Sequence, residues 1–228
     1  MADYKNGRLQ LPNVTLAAMT SVKVKATVKA IEYSMKDIDF GAVILITHRK
    51  PWGLPKSIEY QHIDKLKCIN DFNYDMIYRM HEFIHTDFVL LVHYDGFVVN
   101  PSSWRDEFLG YDYIGSPFPL PKDDFSYRDH NGNICRVGNS VSIRSKRLLE
   151  FPTKAQIPFE ADHGFFNEDG FICCKNRHLF ETAGMRYAPI DVAKYFGHEN
   201  MLPETAGIRP FVFHKWEGTN AEYPRFDK

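Results

Sequence analysis

Strands and helices alternate through the first hundred residues, which predicts an α/β domain built on a mainly parallel sheet. Three observations carry this expectation. Two continuous apolar runs, GAVILIT from Gly41 and FVLLV from Phe88, read as strands buried on both faces. Apolar residues at helical spacing surround them, at Val24, Val28, Ile31 and Met35 and again at Met76, Ile77, Met80 and Ile84. The composition is that of an ordinary globular chain, 44% hydrophobic and 25% charged over 228 residues, with no linker-like stretch to divide it.

Taken in order, residues 14–20 (VTLAAMT) read as a buried strand opening onto a loop, and 22–35 as a helix with lysines on its outer face. The strand from Gly41 follows, then a turn-rich connection over 48–55 and a weaker strand over 57–63. A helix over 71–85 leads into FVLLV, which runs directly into His93-Tyr94-Asp95-Gly96. Beyond this point the periodicity weakens. Residues 117–133 form a long polar loop of the kind used for binding or as a lid. GNSVSIR, from Gly138 to Arg144, reads as a tight turn entering a short strand. Asn167-Glu168-Asp169-Gly170 reads as an acidic start to the apolar helix FICC, and 211–216 as a last strand delivering His214, Lys215 and Trp216. Trp104 and Phe108, four apart on a predicted helix, read as packing partners.

Several classes are disfavoured. A formal net charge of -1 gives no general attraction to phosphate backbones, so nucleic acid is not an expected partner. No apolar run reaches the ~18–20 residues that span a bilayer, and residues 1–10 lack the apolar segment of a secretory signal. A cytoplasmic location is expected, with peripheral membrane contact left open. The four cysteines form no C-x-x-C pair and are expected as reduced, mostly buried thiols. His81-Glu82-Phe83-Ile84-His85 matches H-E-x-x-H. A buried strand begins almost at once after His85, however, and no third ligand follows, so a zinc protease is not expected.

The positions that suggest chemistry lie at element ends. Ligands of open α/β sheets bind at the carboxyl ends of strands, where Asp95 stands with Gly96 behind it. A carboxylate there suits an oxygen-preferring divalent cation bridging phosphates. An Asp-Gly turn is the plain structural alternative. The pair Glu168–Asp169 and the run His214-Lys215 follow in sequence.

The segments LLVHYDGFVVNPSSWRDEFLGYDYIGSPF, VGNSVSIRSKRLL, EDGFICCKNRHLFETAGMRYAP with FGHE, and FVFHKW resemble an uncharacterised bacterial and fungal domain family classed with GT-A glycosyltransferases. The motif order is also similar to beta-1,3-galactosyltransferases and Fringe proteins. Two departures stand out: His93-Tyr94-Asp95-Gly96 replaces Gln-x-Asp-Gly, and Gly138-Asn139-Ser140 replaces Gly-Asn-Gly-Gly. The resemblance implies one GT-A-like domain over 1–228, with a nucleotide-sugar half (about 12–100) and an acceptor half (about 101–228). It implies a transferase taking a nucleotide-sugar, UDP-linked in expectation, to a hydroxyl of a glycan or lipid-linked acceptor in polysaccharide assembly. Mn²⁺ or Mg²⁺ is expected on Asp95 and His214. Donor contacts are expected from Thr20, Ser21, His93, Asp95, Arg144 and Lys215. Asp169 is expected as catalytic base with Glu168 second, and base-activated attack implies inversion. The alternative is a non-catalytic nucleotide- or glycan-binding module, or an inactive transferase.

Overall fold

A computed structural model describes residues 3–160 and 167–227; Met1 and Ala2 of the polar N-terminal stretch lie outside them. β1 (Tyr4–Lys5) folds back antiparallel on β2 (Arg8–Met19), which begins well before the predicted strand. Pro12 lies inside β2 and cannot donate to a ladder, so the pairing with β3 (Ile38–Thr47) slips between Leu11 and Thr15. Gly41 faces this bulge: a Cβ there would lie 2.0 Å from the Pro12 carbonyl oxygen, so no larger residue fits.

Between these strands α1 (Val24–Ser34) crosses the sheet and buries Ala26, Thr27, Ala30 and Ile31. β4 (Glu59–His62) is the weak strand the sequence suggests. The predicted helix over 71–85 is broken into α2 (Ile69–Tyr74), a π-helical turn (Asp75–Arg79) and α3 (Met80–Phe83). His85 falls beyond its end, after an extended Ile84, so the H-E-x-x-H residues share no helical face. β5 (Phe88–Leu91) follows. Two 3₁₀ turns, Pro101–Ser103 and Asp106–Gly110, replace the single helix expected around Trp104. The packing expectation holds all the same, with the Trp104 and Phe108 rings edge-on at 5.5 Å.

β6 (Tyr113–Pro117) and β7 (Val137–Ser145) enter the same sheet, in the order β4-β3-β2-β5-β7-β6. β2, β3, β4 and β5 are parallel; β7 is antiparallel to both its neighbours, which returns β6 to the common direction. The mainly parallel α/β sheet is therefore as expected. The predicted turn at 138–140 is not a turn but a bulge inside β7, where the register with β6 slips between Ile114 and Ser116. After β7 come α4 (Lys146–Lys154), the single turn α5 (Glu168–Gly170), a π-helical turn (Phe171–Lys175), α6 (Arg177–Thr182) and α7 (Ile190–Phe196). β8 (Gly197–His198) and β9 (Val212–Phe213) pair in parallel as a small second sheet.

Alternation along the central strands divides the core. Leu16, Ala18 and Leu45 face α1 and the aromatic cluster of Phe97, Phe211 and Phe213. Ala17, Met19, Ile44 and Ile46 face Met76, Met80 and Ile84. Each fully buried Leu, Ile or Phe side chain stabilises the fold by roughly 1.5–3 kcal/mol before entropy is counted. Among the described residues, no helix is long and apolar enough to cross a membrane.

Candidate active site

The parallel strands end on one edge, and the loops leaving β2 and β5 meet there. Past β5 the chain makes a tight two-bond turn: the His93 amide donates to the Gly96 carbonyl (2.7 Å), and the Gly96 amide to the His93 carbonyl (3.2 Å). The exit of β9 packs onto this turn, the Lys215 amide donating to the Asp95 carbonyl at 2.6 Å. Gly96 makes this approach feasible. A Cβ there would lie 2.5 Å from Val141, 2.7 Å from the His214 ring and 2.9 Å from the Phe213 carbonyl oxygen. Two segments far apart in sequence thus bring Asp95 and His214 together, with His214 Nε2 3.7 Å from Asp95 Oδ1.

Thr20, Ser21, His93, Asp95 and His214 all line one cavity of about 380 Å³, with Ser140, Leu66, Cys68 and Phe72 among the other walls. The Thr20 and Ser21 hydroxyls first serve the loop itself. Thr20 Oγ1 donates to the Val22 carbonyl (2.6 Å), and Ser21 Oγ accepts the Leu66 amide (3.0 Å). His93 is packed between Phe72 and His214, at ring distances of 5.9 and 5.7 Å. Burial, reinforced by the His214 charge, pushes its pKa down to about 4, so it is neutral at pH 7. Among the described residues its buried Nε2 has no hydrogen-bond partner.

Behind His214 stands Glu199, a residue to which the sequence reading assigned no role. Its carboxylate accepts from Lys215 Nζ at 2.7 Å and from Asn139 Nδ2 at 2.6 Å, and its Oε1 lies 3.5 Å from His214 Nδ1. Burial alone would raise its pKa, but His214 and Lys215 outweigh burial and hold the carboxylate at about 2. Asn139 is the bulged residue of β7, with φ of 101°. Its side chain is fixed at both ends, Oδ1 accepting the Val141 amide while its own carbonyl accepts the Tyr113 hydroxyl (2.5 Å). Backbone strain of this kind persists only where surroundings over-determine it. The signal for Glu199 was its place directly after Gly197-His198, ahead of the strand that brings His214 beside it.

Asp169 and Glu168 take different environments. Glu168 is 1% exposed, and its Oε1 accepts from Arg144 Nη2 at 3.0 Å. Arg144 is itself fully buried, and its Nε also donates to Ser142 Oγ at 3.0 Å. The structure thus places Arg144, expected as a donor contact, and Glu168, expected as a second base, in one buried ion pair. β7 lies inside the sheet rather than on a turn, so the Arg144 guanidinium points into the protein, where Nη2 is held by Glu168 while the buried Nη1 has no hydrogen-bond partner among the described residues. Asp169 remains partly exposed. Burial first and the Glu168 charge second raise its pKa to about 6. It does not line the 380 Å³ cavity. Its electrical neighbours include Glu199, and Lys215 feels both Asp95 and Asp169.

Asp95 and His214 offer one oxygen and one nitrogen on the cavity wall. That donor set suits Mn²⁺ or Mg²⁺, which take few protein ligands and complete their shell with phosphate and water. His93 Nε2, buried and without a hydrogen-bond partner among the described residues, stands beside them. Among the described residues, no three His, Cys, Asp or Glu side chains converge as a ready-made metal cage.

An open, mainly parallel α/β sheet with a cavity at its carboxyl strand ends and a reversed strand beside it is a GT-A-like fold. Solved structures agree. The chain is similar to an active-site mutant of LgtC, at 11% identity and TM-score 0.53 over 90% of this chain and 88% of that one. It is similar at the same identity and TM-score to the galactosyltransferase LgtC in complex with donor and acceptor sugar analogs, over 89% of this chain and 86% of the other. A weaker likeness, TM-score 0.48 at 12% identity over 89% and 60%, is to residues 1–349 of S. aureus TarS. No curated protein matches the sequence. The chain belongs to the DUF5672 family of proteins of unknown function, whose model matches residues 58–214.

Proposed function

We propose that this chain is a glycosyltransferase that takes a nucleotide-sugar, UDP-linked, to a hydroxyl of a glycan or lipid-linked acceptor. The observation that carries the proposal is the convergence of Thr20, Ser21, His93, Asp95 and His214 on one cavity at the carboxyl edge of a GT-A-like sheet. The nucleoside sits against Thr20, Ser21 and Phe72, with the diphosphate toward Asp95 and His214. Asp95 and His214 would hold a divalent cation there, and such a cation would supply charge neutralisation for a departing diphosphate. Neutral His93 hydrogen-bonds the donor through its free Nε2. Lys215, kept protonated because Glu199 outweighs the effect of its burial, adds positive charge on the same side.

On the acceptor side Asp169 takes the proton of the attacking hydroxyl. A carboxylate with pKa near 6 is ionised at neutral pH and a stronger base than an ordinary one, which suits general-base work. Glu168 does not react; locked to Arg144, it sets the position of its neighbour and raises its basicity. Attack by a base-activated hydroxyl opposite the leaving group gives inversion at the anomeric carbon.

The test is release of nucleoside diphosphate from a panel of nucleotide-sugars with Mn²⁺, with and without candidate acceptors. Turnover that Asp169→Asn lowers by ~10²–10⁴-fold supports the reading. Tight donor binding with neither hydrolysis nor transfer would make the chain a binding module instead.

A further inference from the structure

The loops leaving β2, β3 and β4 form one surface. The Thr20 amide donates to the Ile46 carbonyl at 3.0 Å and the Ile63 amide to the Thr47 carbonyl at 3.3 Å, so the three exits lie side by side. Ser21 Oγ, bonded to the Leu66 amide, ties the first exit to the third. Residues 20–23, 48–56 and 63–69 on these loops carry six cations, Lys23, Arg49, Lys50, Lys56, Lys65 and Lys67, against one acid, Asp64. The whole chain has a net charge of -1, so positive charge is segregated here. Lys23 pairs with Asp227 at 3.1 Å. Arg49, Lys50, Lys65 and Lys67 are exposed and have no ion-pair partner among the described residues.

At the tip stands Trp52, whose exposure of 102% is that of a free peptide. Its position is built rather than loose. The Leu54 amide donates to the Pro51 carbonyl (3.3 Å), Gly53 takes the positive φ of 75° that such a turn requires, and Leu54 anchors on the core. Val22 and Ile69, 66% and 53% exposed, extend the apolar character along the neighbouring exits. An indole held outward on a rigid turn, flanked by unpaired cations, matches the interfacial zone of a bilayer, where tryptophan settles at headgroup depth and basic residues meet anionic lipid. A convex tip enters a soft surface; a nucleic-acid strand would instead need a groove to lie in.

We propose that this edge docks on an anionic membrane surface, Trp52 entering the headgroup layer while Arg49, Lys50, Lys65 and Lys67 face lipid phosphates. Thr20, Ser21, Leu66 and Lys67 belong to the same loops and line the cavity, so docking sets the cavity mouth beside the membrane. The inference stands on the surface alone and is read without turnover.

Co-sedimentation with vesicles of phosphatidylcholine, alone or mixed with phosphatidylglycerol, tests it on the intact chain. Binding is expected to the anionic vesicles only, and to weaken as salt is raised. At about 1 kcal/mol for each basic residue, Arg49→Gln with Lys50→Gln lowers partitioning by about thirty-fold. Trp52→Ala lowers it by about ten-fold, since half-burying an indole is worth on the order of 1–2 kcal/mol. All three residues are exposed, so the fold survives, and a thermal melt checks this. Failure to bind anionic vesicles, equal binding to neutral ones, or unchanged binding by Trp52→Ala would overturn the proposal. Tighter binding of single-stranded DNA than of anionic vesicles would also overturn it and make the surface a nucleic-acid site.

Discussion

Replacing Asp169 by asparagine should make the protein more stable at neutral pH while it stops transferring sugar. The wild-type carboxyl has a folded-state pKa of about 6, raised by burial and then by Glu168, against an ordinary value of 3.8. Below pH 3.8 it is protonated whether the chain is folded or not, and contributes nothing against folding. As pH rises the unfolded chain ionises first, so stability falls until the folded carboxyl also ionises near pH 6. About two pKa units correspond to roughly 3 kcal/mol, an upper bound because Glu168 and Asp169 titrate together. Asparagine carries no charge, is nearly isosteric and still accepts the Gly170 amide that Asp169 Oδ1 accepts at 2.8 Å. Urea unfolding of both forms from pH 4 to pH 8 should therefore give coincident stabilities near pH 4. By pH 7 they should diverge by ~1–3 kcal/mol in favour of the variant, or ~2–4 °C in Tm for each kcal/mol. The wild-type rate of transfer should rise through pH 6 as the base ionises. A variant less stable than wild type at pH 7, or a difference independent of pH, would refute the reasoning.

Three further outcomes follow from the same geometry. Arg144→Met should cost about 3–5 kcal/mol by stranding the Glu168 charge, and Arg144→Met combined with Glu168→Leu should recover much of it, as chemical denaturation of the single and double variants will show. Glu199→Gln should weaken Mn²⁺-dependent nucleoside diphosphate binding about 10–100-fold and also lower Tm at neutral pH, because it withdraws a carboxylate that His214 and Lys215 hold ionised; calorimetric titration and thermal melts measure this. Cys68 is exposed and lines the cavity, so saturating UDP with Mn²⁺ should slow its alkylation in an otherwise buried-thiol protein, read by mass spectrometry. An unchanged alkylation rate would place the nucleotide elsewhere.

The strands and the candidate site were legible in the sequence to different depths. GAVILIT and FVLLV announced their strands because parallel strands covered on both faces need unbroken apolar runs. Asp95 and His214 were legible because each directly follows such a run. Residues 138–140 were read as a turn because GNS carries turn residues, while the structure uses them as a bulge in a strand that pairs on both sides. Local chemistry was read correctly there and the tertiary pairing that overrode it was invisible. The π-helical turns at 75–79 and 171–175 span five residues each, too few for their wider i→i+5 turn to be read from apolar periodicity. Glu199 escaped notice because its partners, Asn139 and His214, are distant in sequence and meet only when β9 docks on the His93–Gly96 turn.

The proposed function requires that Asp95 and His214 share a cation that would hold the donor's diphosphate. Titration calorimetry of UDP into the protein with Mn²⁺ tests it most directly, repeated with Mn²⁺ withheld and with Asp95→Ala and His214→Ala. Mn²⁺-dependent binding by the native chain and its loss in each variant are expected, with thermal melts showing both variants folded. Full-strength binding by either folded variant, or native binding indifferent to Mn²⁺, would contradict it.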